Sequence, residues 1–582
     1  MQTFTSSVIR HFSVAILSGT FFMLSACGGG GGGATVNTTV VSPVAVSSVL
    51  PAQARVGDTI TVSGQNFGAT QGTSTLSING VTATQITNWS DTQIVATLPN
   101  TATTGNVTVS VNGVAGAPGF LDVLWQAANP MNVAVSMAAG DQDGQQIISD
   151  GANGAIIVWQ DRRNGNVDIY AQRLNSAGVP QWTIDGVAIT VAADDQLAPQ
   201  LVADGAGGAI IVWQDQRRGT SAFLGKDSDI YAQRVNSAGV VQWNIDGVAI
   251  ATLGQHSAPQ LIADGAGGAI LTWSYLLRNG NTGTVLADEV YAQRVNSAGV
   301  PQWTAGGVAL SAAAVSLAFP RLIADGAGGA IVAWMGGRDG VSSSLGIYAQ
   351  RVDSAGLLQW TADGKQVSSN NNLIKFYPQL VTDGAGGAIV AWTVEITSVN
   401  SNGVYAQHIN AAGESQWTAG DVLLSKPLDV QAPDKQTAQL IPDGVGGAIV
   451  AWQQGNLNVA SSFDVYAQRV NGAGVVQWAS GGVGIATESG NQKAPQLIAD
   501  GSNGAILAWQ GQNNGNYDIY TQRVNAAGVA QWLTATVMST AGGDQTLPRL
   551  ISNGLGGAIA VWSDSRNGNS DIYAQDISAS GR

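Results

Sequence analysis

The sequence predicts an all-β chain, a small β-sandwich followed by an eight-bladed β-propeller closed by its own N- and C-terminal strands. Three observations predict it. Sixteen of the 17 tryptophans fall into two interleaved series of eight, repeating every 53 to 61 residues, so one structural unit is copied eight times. Each copy holds four strand-like runs bounded by Gly, Asn and Asp punctuation. The last copy lacks its fourth run, and a matching run stands ahead of the first copy. Composition agrees: 11 % of residues are charged, 45 % are apolar and 76 of 582 are Gly, which suits a turn-rich all-β protein. The net charge of −14 argues against a nucleic-acid partner, which requires a concentrated basic surface.

Residues 1–26 read as an export signal. Arg10 precedes an apolar stretch, Ser13 to Leu24, too short to span a bilayer comfortably. The stretch ends in Leu24-Ser25-Ala26-Cys27, which resembles the lipobox of bacterial lipoproteins. That resemblance implies cleavage before Cys27, lipidation of its thiol and a membrane anchor. Cys27 is the only cysteine, so no intramolecular disulfide accounts for it. Gly28 after the cysteine resembles lipoproteins sorted to the outer membrane. The expectation is a lipid-anchored protein of the bacterial cell envelope. Residues 27–42, with an unbroken run from Gly28 to Gly33, form the tether.

Residues 43–123 make the sandwich. Thr59-Ile60-Thr61-Val62, Ile94-Val95-Ala96-Thr97 and Asn106 to Val111 alternate as half-buried strands do. The phrases GDTITVSGQNFG (Gly57 to Gly68), INGVTAT, WSDTQIVATLP and TGNVTVSVNG resemble the IPT/TIG family of immunoglobulin-like domains. The resemblance implies an immunoglobulin-like fold and, in that family, a spacer or adhesion role rather than a ligand.

Residues 124–582 hold the repeats. The copy at 198–250 shows the runs QLVAD, AIIVW, DIYAQRVN and VQW…GVAI. Two are nearly continuous apolar runs, as in strands buried on both faces. One tryptophan series (Trp159, Trp213, Trp273, Trp334, Trp392, Trp452, Trp509, Trp562) ends the second run. The other (Trp125, Trp182, Trp243, Trp303, Trp360, Trp417, Trp478, Trp532) is expected on the fourth. The pattern resembles DGAGGAIVAWQD…DIYAQRV repeats of uncharacterised bacterial secreted proteins, which imply no activity. A parallel β-helix is the rival architecture, but its coils are far shorter. The segment around Trp125 is expected to complete the last unit, whose own sequence stops after DIYAQDISAS; an open array would carry polar capping repeats instead.

Two intervals inside the repeat are constant. From the turn Asp or Asn to the next Trp is nine residues in all eight copies, and from the third-run Tyr to the next Trp is 12 in seven. Trp to Tyr varies from 11 to 18 and Trp to the next turn from 21 to 26. In an antiparallel meander alternate connections emerge at opposite ends, so the constant turns share one face and the variable connections the other. The variable face is where binding is expected.

The candidate contact residues there are Arg217, Arg218, Phe223, Lys226, Tyr275, Arg278, Lys375, Phe376 and Tyr377, cations interleaved with aromatics on an acidic protein. Asp161, Asn164, Asn166 and Asp168 invite a calcium reading, although the spacing departs from an EF-hand loop and Asn-Gly is itself a hairpin signal. No other cofactor is indicated. The paired tryptophans read as packing between units rather than sugar platforms. Enzyme chemistry has little to draw on: His256 and His408 lack a repeated partner, and glutamates are few. The expected function is non-catalytic binding or scaffolding by a monomeric propeller, with a cell-surface protein or polysaccharide as partner. The alternatives are a carbohydrate-active enzyme with its site at the central opening, and a periplasmic assembly scaffold.

Overall fold

The computed structural model describes residues 43–581, apart from 56–57, 100–101, 103–104, 125–131, 219, 222–224, 253, 279–284, 312–314, 338–344, 370–372, 396–402, 418–419, 426–437, 456–462, 513–514 and 533. The segments expected to be an export signal and a tether, with Cys27, therefore lie outside the described residues, as does Trp125. Among the described residues the chain is all-β, without helices, and none of its sheets closes into a barrel.

The first unit is a two-sheet sandwich. One sheet orders Ala45–Leu50, Thr59–Gln65, Gln93–Thr97 and Ile86–Trp89; the other is built on Gly105–Val111, flanked by Thr75–Ile78 and Gly119–Leu124. Alternation places Ile60, Val62, Leu76, Ile78, Ile94, Ala96, Val107 and Val109 in one fully buried core. Ala177, from the repeats, packs into that same core.

Eight four-stranded antiparallel sheets follow among the described residues, seven of them meanders with their strands in chain order. In unit 1 they are Gln142–Ser149, Ala155–Asp161, Asp168–Leu174 and Val187–Thr190. Unit 8 differs. Its first three strands are Gln545–Ser552, Ala558–Asp564 and Asp571–Ile577, and its fourth is Val133–Ser136, from ahead of unit 1. Asn132 ties this strand down, donating from Nδ2 to Met538 O at 2.8 Å and to Gln575 Oε1 at 2.6 Å.

First strands touch in succession through the units, and the first strand of unit 8 touches that of unit 1. A separate apolar cluster straddles each successive pair of units, and one joins unit 8 to unit 1 through Ile559, Val561, Ile147 and Trp159. The second-strand tryptophans are the largest fully buried side chains of the molecule. Burying such a ring contributes about 2–3 kcal/mol.

The other tryptophan series is not on the fourth strand as expected. Trp182 precedes Val187–Thr190, in the long connection from the third strand. A side-chain amide explains why: Gln172 accepts from Trp182 N at 2.9 Å and donates to Thr183 O at 2.7 Å, holding this connection off the ladder. Trp182 Nε1 then donates to Ser237 O of unit 2 at 3.0 Å. The same contact runs from Trp243 to Ser297, Trp303 to Ser354, Trp360 to Ala411, Trp417 to Gly472, Trp478 to Ala526 and Trp532 to Ala579.

The meander puts the Asp-Gly turn and the third-to-fourth connection at one end of every sheet and the two variable connections at the other. At the turn end, Asp150 Oδ1 accepts from Ala152 N and Gly154 N, and its other oxygen pairs with Arg173 at 2.8 Å. The pair recurs as Asp204–Arg234, Asp264–Arg294, Asp325–Arg351, Asp443–Arg469 and Asp500–Arg523, with His408 replacing Arg at Asp383. Burial pushes the Asp204 and Asp264 carboxyls up, but the turn N–H groups and the guanidiniums outweigh it and hold them below the usual range.

Candidate functional site

At the variable end the units are not equivalent. In units 8, 1 and 2 the residue two beyond the buried tryptophan is Asp. Trp159 Nε1 donates to Asp161 Oδ2 at 2.9 Å, and Arg163 grips both oxygens of Asp161 while covering the Tyr170 ring at 3.8 Å. Trp213, Asp215, Arg217 and Tyr231 repeat this clamp, as do Trp562, Asp564, Arg566 and Tyr573. Arg217 is therefore committed to packing and not presented to a ligand. Arg218 pairs with Asp229.

The calcium set is likewise spent inside its own hairpin. Asn164 Nδ2 donates to Asp168 Oδ2 at 2.7 Å, and Asn166 Nδ2 donates to Asp168 Oδ1 at 2.9 Å. Both oxygens of Asp161 accept from Trp159 and Arg163. The loop offers donors where a cation requires acceptors.

Units 3 to 5 have lost the clamp. Tyr275, Gly336 and Val394 stand where Asp161 does, and Trp273 Nε1 and Trp392 Nε1 are buried without a partner among the described residues. In unit 3 the 18-residue spacing extends the hairpin itself, Ala269–Arg278 with Val285–Val295, rather than forming a loop. Tyr275 thus lies on a strand, 5.1 Å from the His256 ring and 5.5 Å from Tyr291, whose hydroxyl donates to Glu289 at 2.6 Å. Burial pushes His256 down to about 4, and burial with Glu289 pushes Tyr291 well up. In unit 2 the insertion folds as a separate two-strand ladder, Thr220–Ser221 with Gly225–Lys226. Phe223 lies outside the described residues, as do the side chains of Lys226 and Arg278.

Lys375, Phe376 and Tyr377, expected in a loop, lie on the first strand of unit 5, Ile374–Thr382. Lys375 is 2 % exposed and donates to Leu373 O at 3.0 Å, so it is no surface cation. Its side chain is buried, and that burial lowers its pKa. Tyr377 instead meets Phe319 of unit 4, ring centres 4.6 Å apart, with Phe376 at 5.9 Å. All three aromatics remain half-buried.

Phe319 and Tyr377 occupy a recurrent left-handed position, with φ of 56° and 52°. Gly144, Ala198, Ala258, Ala494 and Leu547 repeat it, each at a register shift in the first strand. Such a bulge re-aims the residues that follow. Two residues on come Gln146, Gln200, Gln260, Arg321, Gln379, Gln496 and Arg549, joined by Gln439 in unit 6. Arg321 and Arg549 were missed in the sequence. Their signal was present there as two departures from an otherwise invariant Gln.

A family match covers residues 43–121, in agreement with the sandwich. That segment is an IPT/TIG domain. Over 79 residues the chain is 39 % identical to a cyclomaltodextrin glucanotransferase of Paenibacillus macerans, covering 14 % of this chain and 11 % of that enzyme. A second glucanotransferase, of Bacillus sp. (strain 6.6.3), is 41 % identical over 71 residues, 12 % of this chain and 10 % of the enzyme. The chain spans about a tenth of the length of these curated relatives. A solved polysaccharide lyase, described as a PL25-Ulvanlyase, aligns at 12 % identity with a TM-score of 0.44, covering 69 % of this chain and 98 % of the other.

Proposed function

We propose that the repeats form an eight-bladed propeller, carried on the IPT/TIG spacer and anchored through Cys27 at the bacterial outer membrane, that binds a polysaccharide without turning it over. The succession of first-strand contacts, the cluster joining units 8 and 1, and the fourth strand supplied by Val133–Ser136 support the closed ring. The half-buried aromatic pair Phe319 and Tyr377, at the variable end of units 4 and 5, carries the binding reading. Aromatic faces stack on the apolar faces of sugar rings, and these two are held by their strands rather than by loops. The spacer's similarity to segments of cyclomaltodextrin glucanotransferases supports a carbohydrate ligand. Absence of turnover is supported by the carboxylates at the repeat turns, which recur as partners of Arg or His.

A second reading, a carbohydrate-active enzyme, is favoured by one observation. The Tyr291–Glu289 bond beside Tyr275 and His256 is a titratable cluster that departs from the repeat. A glycan array run beside a hydrolase and lyase substrate panel tests both. Glycan binding that Tyr377→Ala weakens, with no product released, is the expected result. Turnover abolished by Glu289→Gln would establish the enzyme instead, and failure to bind any glycan would overturn the leading reading. The anchor has its own test: Cys27→Ala should abolish lipid labelling and release the protein from membranes, and undiminished retention would refute it.

A further inference from the structure

Arg321 and Arg549 hold one register in units 4 and 8, four places apart in a circuit of eight. On the propeller reading they face each other across its axis. Among the described residues neither has a carboxylate partner. Arg321 Nη1 donates to Pro320 O at 3.0 Å; Arg549 donates from Nη1 to Pro548 O and from Nε to Gln146 Oε1, both at 3.3 Å. These are neutral acceptors. Every other first-strand residue at this register is Gln, which satisfies the same kind of carbonyl from a neutral amide, as Gln260 does with Pro259 O at 2.7 Å and Gln496 with Pro495 O at 2.9 Å. Packing alone therefore has no use for two guanidiniums.

Their presence is costly. Burial lowers the pKa of both, and the field of Arg549 adds to the effect on Arg321, which falls to about 10. Two half-buried like charges without a carboxylate partner among the described residues destabilise the free protein, and such sites are where ligands supply what is missing.

The surroundings fit a ligand of one kind. Two residues before Arg321, about 7 Å along the strand, comes Phe319 with its partner Tyr377 on the variable side. Two residues after Arg549, Ile551 joins Ile441, Ile498, Ser149 and Asn153 around a cavity of about 550 Å³ at the turn side. Aromatic faces, then cations, then an apolar-walled space follow one another along the first strands.

We propose that Arg321 and Arg549 form an anion site at the centre of the propeller, which takes the carboxylate or sulfate group of an acidic polysaccharide entering past Phe319 and Tyr377. This rests on the propeller and polysaccharide readings above and adds the charge class of the ligand. The guanidinium fork suits both oxyanions through paired N–H donors. The net charge of −14 opposes a polyanion at long range, so affinity comes from contact at this site and not from steering.

The test measures binding of oligogalacturonate, dextran sulfate and neutral dextran by the full chain and by Arg321→Gln, Arg549→Gln and the double variant. Each substitution installs the residue that six other units carry at this register, so the frame is kept. The expected result is roughly tenfold weaker binding of an acidic polymer in each single variant, a larger loss in the double, and no change for neutral dextran. Inorganic sulfate should raise the Tm of the wild type, and the ligand-free double variant should unfold at a higher temperature than the wild type. Acidic-polymer affinity unchanged in the double variant would overturn the site. Binding of neutral dextran alone would overturn it too, leaving the polysaccharide reading in place. Arginine-dependent stabilisation by sulfate with no polymer bound would support the site and overturn that reading.

Discussion

Trp213 and Trp273 occupy the same place in neighbouring units, yet only one has its N–H paired. Trp213 Nε1 donates to Asp215 at 2.7 Å, whereas Trp273 Nε1 has no partner among the described residues. Replacing either by Phe leaves a similar void, but in unit 2 it also takes a donor from a buried carboxylate. Trp213→Phe should therefore cost about 1–2 kcal/mol more than Trp273→Phe, read from urea unfolding midpoints; equal losses would refute the assignment. His256 sets a second residue-scale expectation. Its pKa is about 4 in the folded chain against 6.5 for the free side chain. Between those values the unfolded state binds a proton that the native state refuses. The stability conferred by neutral His256 is thus intact above pH 6.5 and lost as pH falls towards 4, by about 2 kcal/mol at pH 5. His256→Gln should flatten this part of the stability profile, measured as Tm between pH 7.5 and 5.

At the scale of the element, the hairpin from Asp161 to Asp168 shows how a sequence can suggest one chemistry and fold into another. Four oxygen-bearing side chains at close spacing look like a cation loop, but the amides of Asn164 and Asn166 turn their donors onto Asp168 and close it. Addition or chelation of calcium should leave the Tm of the full chain unchanged, and a calcium-dependent rise would contradict the hairpin pairing. The strands themselves were legible because apolar runs, turn glycines and constant spacings all report on backbone geometry. Lys375 and Tyr377 were not. A run such as Ile374-Lys375-Phe376-Tyr377 reads as a loop when a lysine interrupts it, and nothing local says that the lysine will be buried. The bulge was equally hidden, since Phe and Tyr in a left-handed conformation are held by tertiary contacts and not by their own preference. Trp182 was misplaced by a few residues for a related reason. Its connection is shaped by Gln172, ten positions away.

For the whole molecule, the eighth sheet is the informative one. Deleting 571–582 removes the third strand of unit 8 and with it the partner of Val133–Ser136. The tryptophan-lined interfaces on either side of that sheet then lose their packing, and strand edges are exposed. The truncated chain should unfold less cooperatively, with a smaller denaturant slope than the wild type after correction for length, and should aggregate on concentration. An unchanged slope would argue that the units are independent. The pairing of a strand from ahead of unit 1 with the last strand of unit 8 was legible in the sequence because one run was missing at one end and surplus at the other. Arg321 and Arg549 were not, because the site proposed for them depends on which units face each other, and a linear repeat does not display that.

The pairing of Val133–Ser136 with Asp571–Ile577 also sets a timetable. A chain delivered from its N-terminus presents this strand first and its partner last, after some 440 residues, as the Asn132–Gln575 bond measures. Until then the early strand has nowhere to dock, and both flanks of the incomplete array are open to strangers. For a chain delivered in that order, the pairing of these two strands is the commitment step. Late partial products would be the ones most in need of a holding chaperone, and the most sensitive to a protease that clips the C-terminal segment.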